Sequence, residues 1–231
     1  MGTRMLIIAG GFPNRYGGVA NELRLSRKDP REWFPTTDDF RATARRSGGG
    51  TGEAATFKQL LEMIGKQSKG SIEVLDLVGH AGDISLTVGS VTISAGTGFA
   101  LGGLVHGTTL NFTPGAMIHT SSIKANLDAI KAVRDRFNTQ TANACITLYA
   151  CNAGMDTGFL EEMAKAFQVC VRGFRNEIFW CFTPTGKNTA DRGRTFYDPT
   201  GFGLHPSCKS FSPDIRRWIP ENVSFGGIID L

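Results

Sequence analysis

The chain has 231 residues, of which 41% are hydrophobic and 20% are charged, and its formal net charge is +4. This length allows one sizeable hydrophobic core, and the composition is ordinary for a globular protein. The basic residues form small groups and no continuous stripe, which argues against a nucleic-acid-binding surface. No apolar run reaches the length of a membrane span or of a secretory signal-peptide core, so no membrane association is expected.

The first third of the chain predicts two strands, one short helix and one amphipathic helix. Residues 5–9 (MLIIA) form an apolar run that ends at two glycines, which is typical of a buried strand. Residues 13–52 have no sustained apolar period, and they predict a long irregular excursion with one short helix near residues 38–44. Residues 54–67 place Phe57 and other apolar residues at helical spacing and predict an amphipathic helix. Residues 72–78 (IEVLDLV) predict a second buried strand.

The middle of the chain predicts a hairpin and a helix. Residues 84–88 and 91–94 alternate in polarity on either side of Gly89-Ser90, which is a hairpin pattern. Residues 95–120 are rich in glycine and indicate no clear element. Residues 123–137 carry apolar side chains on one helical face, with Ser121 or Ser122 as the expected cap.

The last third of the chain begins with alternating strands and helices. Residues 145–150 predict a buried strand and residues 158–167 a helix. Residues 169–171 and 178–182 predict two further strands. Residues 183–213 are typical of a loop, and the tail from 215 to 231 has no strong period.

Strands that alternate with helices favour an α/β class with a mostly parallel sheet flanked by helices on both faces. No internal repeat or long low-complexity tract separates the chain into parts. The sequence therefore predicts a single domain over residues 1–231. It does not indicate an oligomeric state.

The five cysteines lie at positions 145, 151, 170, 181 and 208. Their number is odd, no pair has the CxxC spacing, and no cysteine–histidine group has zinc spacing. Free thiols in a reducing cytoplasm are the expectation, which leaves open delivery as a secreted effector without a cleaved signal. Cys145, Cys170 and Cys181 lie in apolar strands and are expected in the core, whereas Cys208 lies in a predicted loop.

Two of the predicted buried strands end in residues with nucleophilic or basic side chains. His80 follows the strand 72–78, and Cys151 follows the strand 145–150. If these strands are neighbours in a parallel sheet, both residues emerge at the edge where sites of α/β proteins collect. A thiol beside an imidazole forms a nucleophile and base pair, because the thiolate is the attacking species. A buried structural thiol is the alternative for Cys151 taken alone.

These motifs resemble the caspase-like cysteine peptidases, which include gingipains, legumains and separases. The shared features are an apolar strand ending in histidine, a hairpin, a helix, and an apolar strand ending in Ala-Cys (YACNAG). The resemblance covers roughly residues 54–182 and is nearest to bacterial caspase-like domains of unassigned substrate. It implies a caspase-like fold with a hairpin after the histidine strand, and a peptidase that acts on protein or peptide substrates without a metal or organic cofactor. His80 would be the base and Cys151 the nucleophile, with oxyanion donors on the backbone of Ala81 or Gly82 and of Cys151.

Two features of the chain leave alternatives open. The family usually has glycine directly after the histidine, and Ala81 at this position favours a catalytically inactive caspase-like module that binds a protein partner. His106 is followed directly by glycine and lies nearer to Cys151, at a separation close to the roughly 50 residues typical of caspases. However, the glycine-broken stretch before His106 is a poor central strand. Acyl transfer from Cys151 to something other than a peptide is a third possibility.

Three acidic residues near these motifs also need an explanation. Asp83 and Asp156 flank the predicted site and are candidate contacts for a basic substrate side chain. Asp76 lies inside a predicted buried strand, where a carboxylate requires a partner, and an arginine is expected to pair with it. His119 and His205 are expected to be surface or structural histidines.

Overall fold

A computed structural model gives the fold of this chain. The structure describes residues 2–12, 37, 40–41, 51–88, 91–106, 109–113, 115–139, 144–150, 152–175, 180–184, 192–196, 215–219 and 227–230. For residues 51, 83–88, 91–96, 104–106, 109–112 and all those from 180 onwards, this description covers the backbone alone.

The largest sheet has seven strands in the order β14-β13-β10-β9-β3-β1-β2. The five strands from β10 to β2 run parallel to one another, and β13 and β14 extend the sheet antiparallel. The strands are β1 (Thr3–Ala9), β2 (Thr51–Ala54), β3 (Ile72–Val78), β9 (Cys145–Tyr149), β10 (Cys170–Phe174), β13 (Ile215–Ile219) and β14 (Gly227–Asp230). The predicted α/β class with a mostly parallel sheet is confirmed.

In the part of the chain that the structure describes, three smaller sheets accompany the main one. In the first, β5 pairs antiparallel with both β4 and β8; β6 pairs with β7, and β11 pairs with β12. These strands are β4 (His80–Val88), β5 (Val91–Ala100), β6 (Gly103–His106), β7 (Thr109–Phe112), β8 (Met117–Ile118), β11 (Trp180–Pro184) and β12 (Arg192–Phe196).

Within the described residues, four complete α-helices lie between the strands: α1 (Phe57–Gly65), α2 (Thr120–Ala125), α3 (Leu127–Val133) and α4 (Thr157–Phe167). A short 3-10 helix, Arg134–Arg136, follows α3. The single helix predicted over residues 123–137 is therefore wrong. Asn126 separates α2 from α3, and its side-chain amide donates to the Ser122 carbonyl at 2.8 Å. A short polar side chain that bonds to the backbone in this way competes with regular helix.

The sheet separates two hydrophobic clusters, because successive side chains of a strand point to opposite faces. The larger cluster contains Ile7 of β1 and alternate residues of β3 and β9, and all four helices contribute to it. The smaller cluster contains Leu6 and Ile8 of β1 together with aromatic residues. Within the described residues, the four helices thus cover one face of the sheet, and the prediction of helices on both faces is met for that face. On the opposite face, Phe40 of the smaller cluster has helical backbone.

Several elements differ from the sequence predictions. β2 begins inside the predicted excursion, and the predicted helix starts at Phe57 because residues 51–54 pair with β1. The strand predicted at 178–182 belongs to a separate two-stranded sheet, and its partner β12 lies in the predicted loop. β13 and β14 lie in the tail that lacks a strong period. These short strands are specified by pairing partners, which a local pattern does not contain.

Candidate active site

The carboxyl ends of β3 and β9 lie side by side in the main sheet. The two strands pair in parallel with Val78 opposite Tyr149, and the Gly79 amide donates to the Tyr149 carbonyl at 3.2 Å. The two strands are therefore neighbours in the parallel sheet, which is the condition on which the predicted site depends. The chain continues from this edge to His80 on one side and to Ala150 on the other.

Gly79 permits the turn from β3 into β4. A Cβ atom at this position would lie 2.7 Å from the Ala100 carbonyl oxygen and 2.8 Å from the Phe99 ring. Such contacts are too close for any side chain, so the sharp approach of β3 to β5 requires glycine. As a result, His80 is the first residue of β4 and pairs with Ala100 of β5.

The His80 ring is 7% exposed and packs against two phenylalanines. Its centroid lies 4.7 Å from that of Phe12 and 5.5 Å from that of Phe40, with both pairs edge to face. Edge-to-face packing at these distances is favourable and restricts the ring orientation. The imidazole is therefore held from the β1 side of the sheet by aromatic groups.

Thr37 attaches the Phe40 segment to the end of β1. Its hydroxyl donates to the Ala9 carbonyl at 2.8 Å and accepts from the Phe12 amide at 3.1 Å. Its own amide donates to the Phe12 carbonyl at 3.0 Å. The backbone of Thr37, Phe40 and Arg41 is helical, in the region where a short helix was predicted. Sequence analysis did not identify Phe12, Thr37 or Phe40 as site residues, because their contacts join segments far apart in the chain.

Cys151 lies outside the described residues, but both of its chain neighbours are described. Ala150 is buried at the end of β9, and Asn152 adopts a left-handed conformation with φ of 56°. Gly154 then packs on β10, where its amide donates to the Phe174 carbonyl at 2.7 Å and a Cβ would collide with Gly173. The loop after Cys151 is thus fixed to the end of a third parallel strand.

Ala81 and Gly82 continue β4 beside His80. Neither residue has a positive φ, since within the described part of the chain that conformation occurs at Asn152, Gln168, Gly70 and Gly115. The backbone at Ala81 therefore does not require glycine, and an alanine fits there without strain. A Cβ atom at Gly82 would have no described heavy atom within 4 Å.

The two acidic residues predicted to flank the site occupy different positions. Asp83 lies in β4 opposite Thr97 of β5. Asp156 is the N-cap of α4, where one carboxylate oxygen accepts from the Phe159 amide at 3.1 Å and the other accepts from the Thr97 amide at 3.2 Å. Contact with a basic substrate stays a prediction for both residues.

The other histidines are placed differently from His80. His106 ends β6, in a two-stranded sheet that is separate from the main one. His119 is the N-cap of α2, its Nδ1 atom lies 2.8 Å from the Ser121 hydroxyl, and burial lowers its pKa below the ordinary value. His119 therefore has the structural role predicted for it, whereas His205 lies outside the described residues.

A buried carboxylate, that of Asp76, lies on the same face of the sheet as His80. Asp76 is fully buried and accepts a hydrogen bond from Arg4, which also donates to the Tyr149 hydroxyl at 3.2 Å. The predicted pairing of Asp76 with an arginine is confirmed. Cys145 and Cys170 are buried free thiols in neighbouring strands, as predicted, whereas the side chains of Cys181 and Cys208 are not described.

The described residues lack two further features, a metal-binding cluster and a membrane-spanning helix. They contain no group of three or more His, Cys, Asp or Glu side chains that could hold a metal ion. No helix among them is long and apolar enough to cross a membrane.

Comparisons with known proteins assign no family to this chain. The sequence matches no protein-family model, and no curated protein matches it either. The function proposed below is therefore inferred from the chain's own residues.

Proposed function

We propose that this chain is a caspase-like cysteine endopeptidase in which Cys151 is the nucleophile and His80 is the general base. The observation that supports this proposal is the parallel pairing of β3 and β9, with Val78 opposite Tyr149. Each proposed catalytic residue follows its register residue by two positions, at the edge of the sheet where α/β proteins collect their sites.

The surroundings of His80 also support this role. The ring is buried against Phe12 and Phe40, and its strand is held by pairing with Ala100. A general base needs a fixed orientation toward the proton that it accepts. A histidine at the end of a mobile surface segment would not have one. The hairpin of the caspase-like family corresponds in this proposal to β4 and β5, which pair antiparallel directly after the histidine.

The proposed reaction has two steps. The Cys151 thiolate attacks the scissile carbonyl carbon, a C–S bond forms, and the protonated His80 donates its proton to the leaving amine nitrogen as the C–N bond breaks. Water then attacks the thioester carbonyl carbon while His80 accepts a proton from it. The C–S bond breaks, which releases the new carboxylic acid and regenerates the Cys151 thiolate beside protonated His80. The chemistry needs no metal or organic cofactor.

Backbone amides would stabilise the oxyanion of the tetrahedral intermediate. The proposed donors are the N–H groups of Ala81 or Gly82 and of Cys151, because preorganised backbone dipoles are effective at this task. The departure from the family glycine at position 81 is compatible with this, since Ala81 lacks a positive φ. In this proposal the substrate carbonyl approaches beside Gly82, where no described heavy atom lies within 4 Å of a Cβ position.

Peptide hydrolysis and thiol alkylation test the proposal together. Wild type, Cys151→Ala, His80→Ala and His106→Ala are incubated with a peptide library, and cleavage products are read by mass spectrometry. The rate at which iodoacetamide modifies each cysteine is measured against pH in the same proteins. We expect cleavage in wild type, none in Cys151→Ala or His80→Ala, and a Cys151 thiol with an apparent pKa below about 8.5.

The matched control is Cys145→Ala, which removes a buried thiol of β9 and should leave cleavage intact. Loss of cleavage in His106→Ala but not in His80→Ala would assign the base to His106. A Cys151 thiol as unreactive as Cys145 in the folded wild-type protein, with no cleavage, would contradict the peptidase. It would favour the alternative, an inactive caspase-like module that binds a protein partner.

A further inference from the structure

The carboxylate of Asp156 joins two segments that are distant in the sequence. Its Oδ1 atom accepts from the Phe159 amide in the first turn of α4, and its Oδ2 atom accepts from the Thr97 amide of β5. The first bond is an ordinary helix N-cap. The second bond is not needed for capping, and it ties the start of α4 to a strand 59 residues earlier.

Thr97 belongs to the strand that holds His80. In the pairing of β4 with β5, Thr97 lies opposite Asp83, and the same run of pairs ends with Ala100 opposite His80. Residues 97–101 are all buried, and Ala100 also pairs with Met117 of β8. β5 is therefore a well-packed support, and a bond to the Thr97 amide is a bond to the histidine side of the proposed site.

Asp156 lies on the nucleophile side of the same site, five positions after Cys151. The loop between them is short and constrained: the Met155 amide donates to the Asn152 carbonyl at 3.0 Å, and Gly154 is bound to β10. The Gly154 contact holds the loop to the main sheet, but it does not hold the loop to β4 or β5. The Oδ2 bond of Asp156 provides that connection.

We infer that Asp156 is a positioning residue, whose Oδ2 atom fixes the loop after Cys151 against β5 and so sets the distance from the thiol to His80. This inference rests on the proposed function, because it presupposes that Cys151 and His80 act together. Asp156 accepts its described hydrogen bonds from the Phe159 and Thr97 amides. It acts by fixing the relative position of the two segments that carry them.

Asp156→Asn and Asp156→Ser test this role. Both replacements are good N-cap residues. Neither replacement has two acceptor oxygens at these positions, so neither can cap α4 and hold Thr97 together. Thr56→Ala is the matched control, because the Thr56 hydroxyl caps α1 by accepting from the Gln59 amide at 3.2 Å, on a helix other than the one that Asp156 caps.

Three measurements are made on each full-length variant: the thermal unfolding midpoint, hydrogen exchange at the Thr97 amide, and the pH profile of Cys151 alkylation. We expect Asp156→Asn and Asp156→Ser to unfold near wild type and to exchange the Thr97 amide faster. Cys151 alkylation at neutral pH should slow about ten- to a hundredfold, since a displacement of about 1 Å has effects of this size. The pH profile should move toward that of His80→Ala. Thr56→Ala should leave both the Thr97 exchange and the Cys151 profile unchanged.

The outcomes separate the positioning role from the function on which it rests. A wild-type alkylation profile in both Asp156 variants, with an altered profile in His80→Ala, would overturn the positioning role and retain the dyad. No change in His80→Ala would remove the proposed function, and the positioning role with it, whatever the Asp156 variants do. Faster Thr97 exchange without any change in the Cys151 profile would make Asp156 a structural residue only.

Discussion

The two faces of the main sheet are built by different kinds of contact. One face packs against all four helices in a cluster of apolar side chains. The other face carries the buried Asp76, the Arg4 side chain that donates to it and to the Tyr149 hydroxyl, and the aromatic residues around His80. The helix face carries the larger apolar cluster, and the opposite face carries Asp76, Arg4 and His80.

This difference shows on which face of the sheet polar side chains can be buried without a large loss of stability. Polar groups inside the helix cluster would lose hydration without a partner, which is costly. On the opposite face, Asp76 has its arginine and Thr147 accepts a hydrogen bond from Arg172 at 2.7 Å. The site is thus built on the face where polar side chains already have partners.

Two phenylalanines provide the sharpest test of this comparison and the largest expected effect. Phe40 and Phe167 are both fully buried, and each packs edge to face on another ring, Phe40 on His80 and Phe167 on Phe137. Replacing either with alanine should lower the free energy of unfolding by about 3–5 kcal/mol, as measured by denaturant titration. Only Phe40→Ala should also change the pH profile of Cys151 alkylation, because only its ring contacts His80.

The comparison of the two faces fails if Phe40→Ala and Phe167→Ala change the pH profile of Cys151 alkylation equally. An equal change in the profile of Phe167→Ala would mean that general loosening, and not the His80 contact, controls the thiol. Phe40→Tyr serves as the conservative variant and should restore the profile, because its ring still packs against the imidazole.

The second effect concerns the buried carboxylate on the polar face. Arg4→Met retains the apolar stem but leaves the charge of Asp76 buried without this cation, and we expect it to lower the free energy of unfolding by about 3 kcal/mol. Adding Asp76→Asn removes the charge, so the double variant should recover part of that loss in urea titrations. A double variant less stable than Arg4→Met would show that the carboxylate is stabilised independently of Arg4.

The smallest expected effect is the pH dependence of stability that His119 causes at the start of α2. Burial lowers the pKa of His119 in the folded protein, so the unfolded chain binds a proton more readily near the ordinary value of about 6.5. Proton binding by the unfolded chain favours unfolding. The free energy of unfolding is therefore highest above that pH and decreases as pH falls through it. Unfolding midpoints of wild type should therefore drop more between pH 7.5 and 5.5 than those of His119→Asn. Equal drops would contradict the depressed pKa.

The strongly periodic elements were predictable because their information is local. The strand Ile72–Val78 was predicted with the observed bounds, and the strand at residues 145–150 and the helix at 158–167 differ from β9 and α4 by one residue. Apolar runs and helical spacing determine which residues must be buried, and a short stretch of chain is enough to express them. The same local patterns identified His80 and Cys151 as residues at strand ends.

The tertiary structure decided which of these elements meet. Pairing of β3 with β9, the support of His80 by Phe12 and Phe40, and the bond from Asp156 to Thr97 all join positions far apart in the chain. The weak strands β2 and β12 to β14 belong to the same class, since their hydrogen-bond partners lie elsewhere. By itself, the sequence determined the α/β class and the residue types of the candidate site. Their arrangement required the folded chain, because hydrogen bonds and ring contacts depend on distance in space, and spacing along the sequence does not determine that distance.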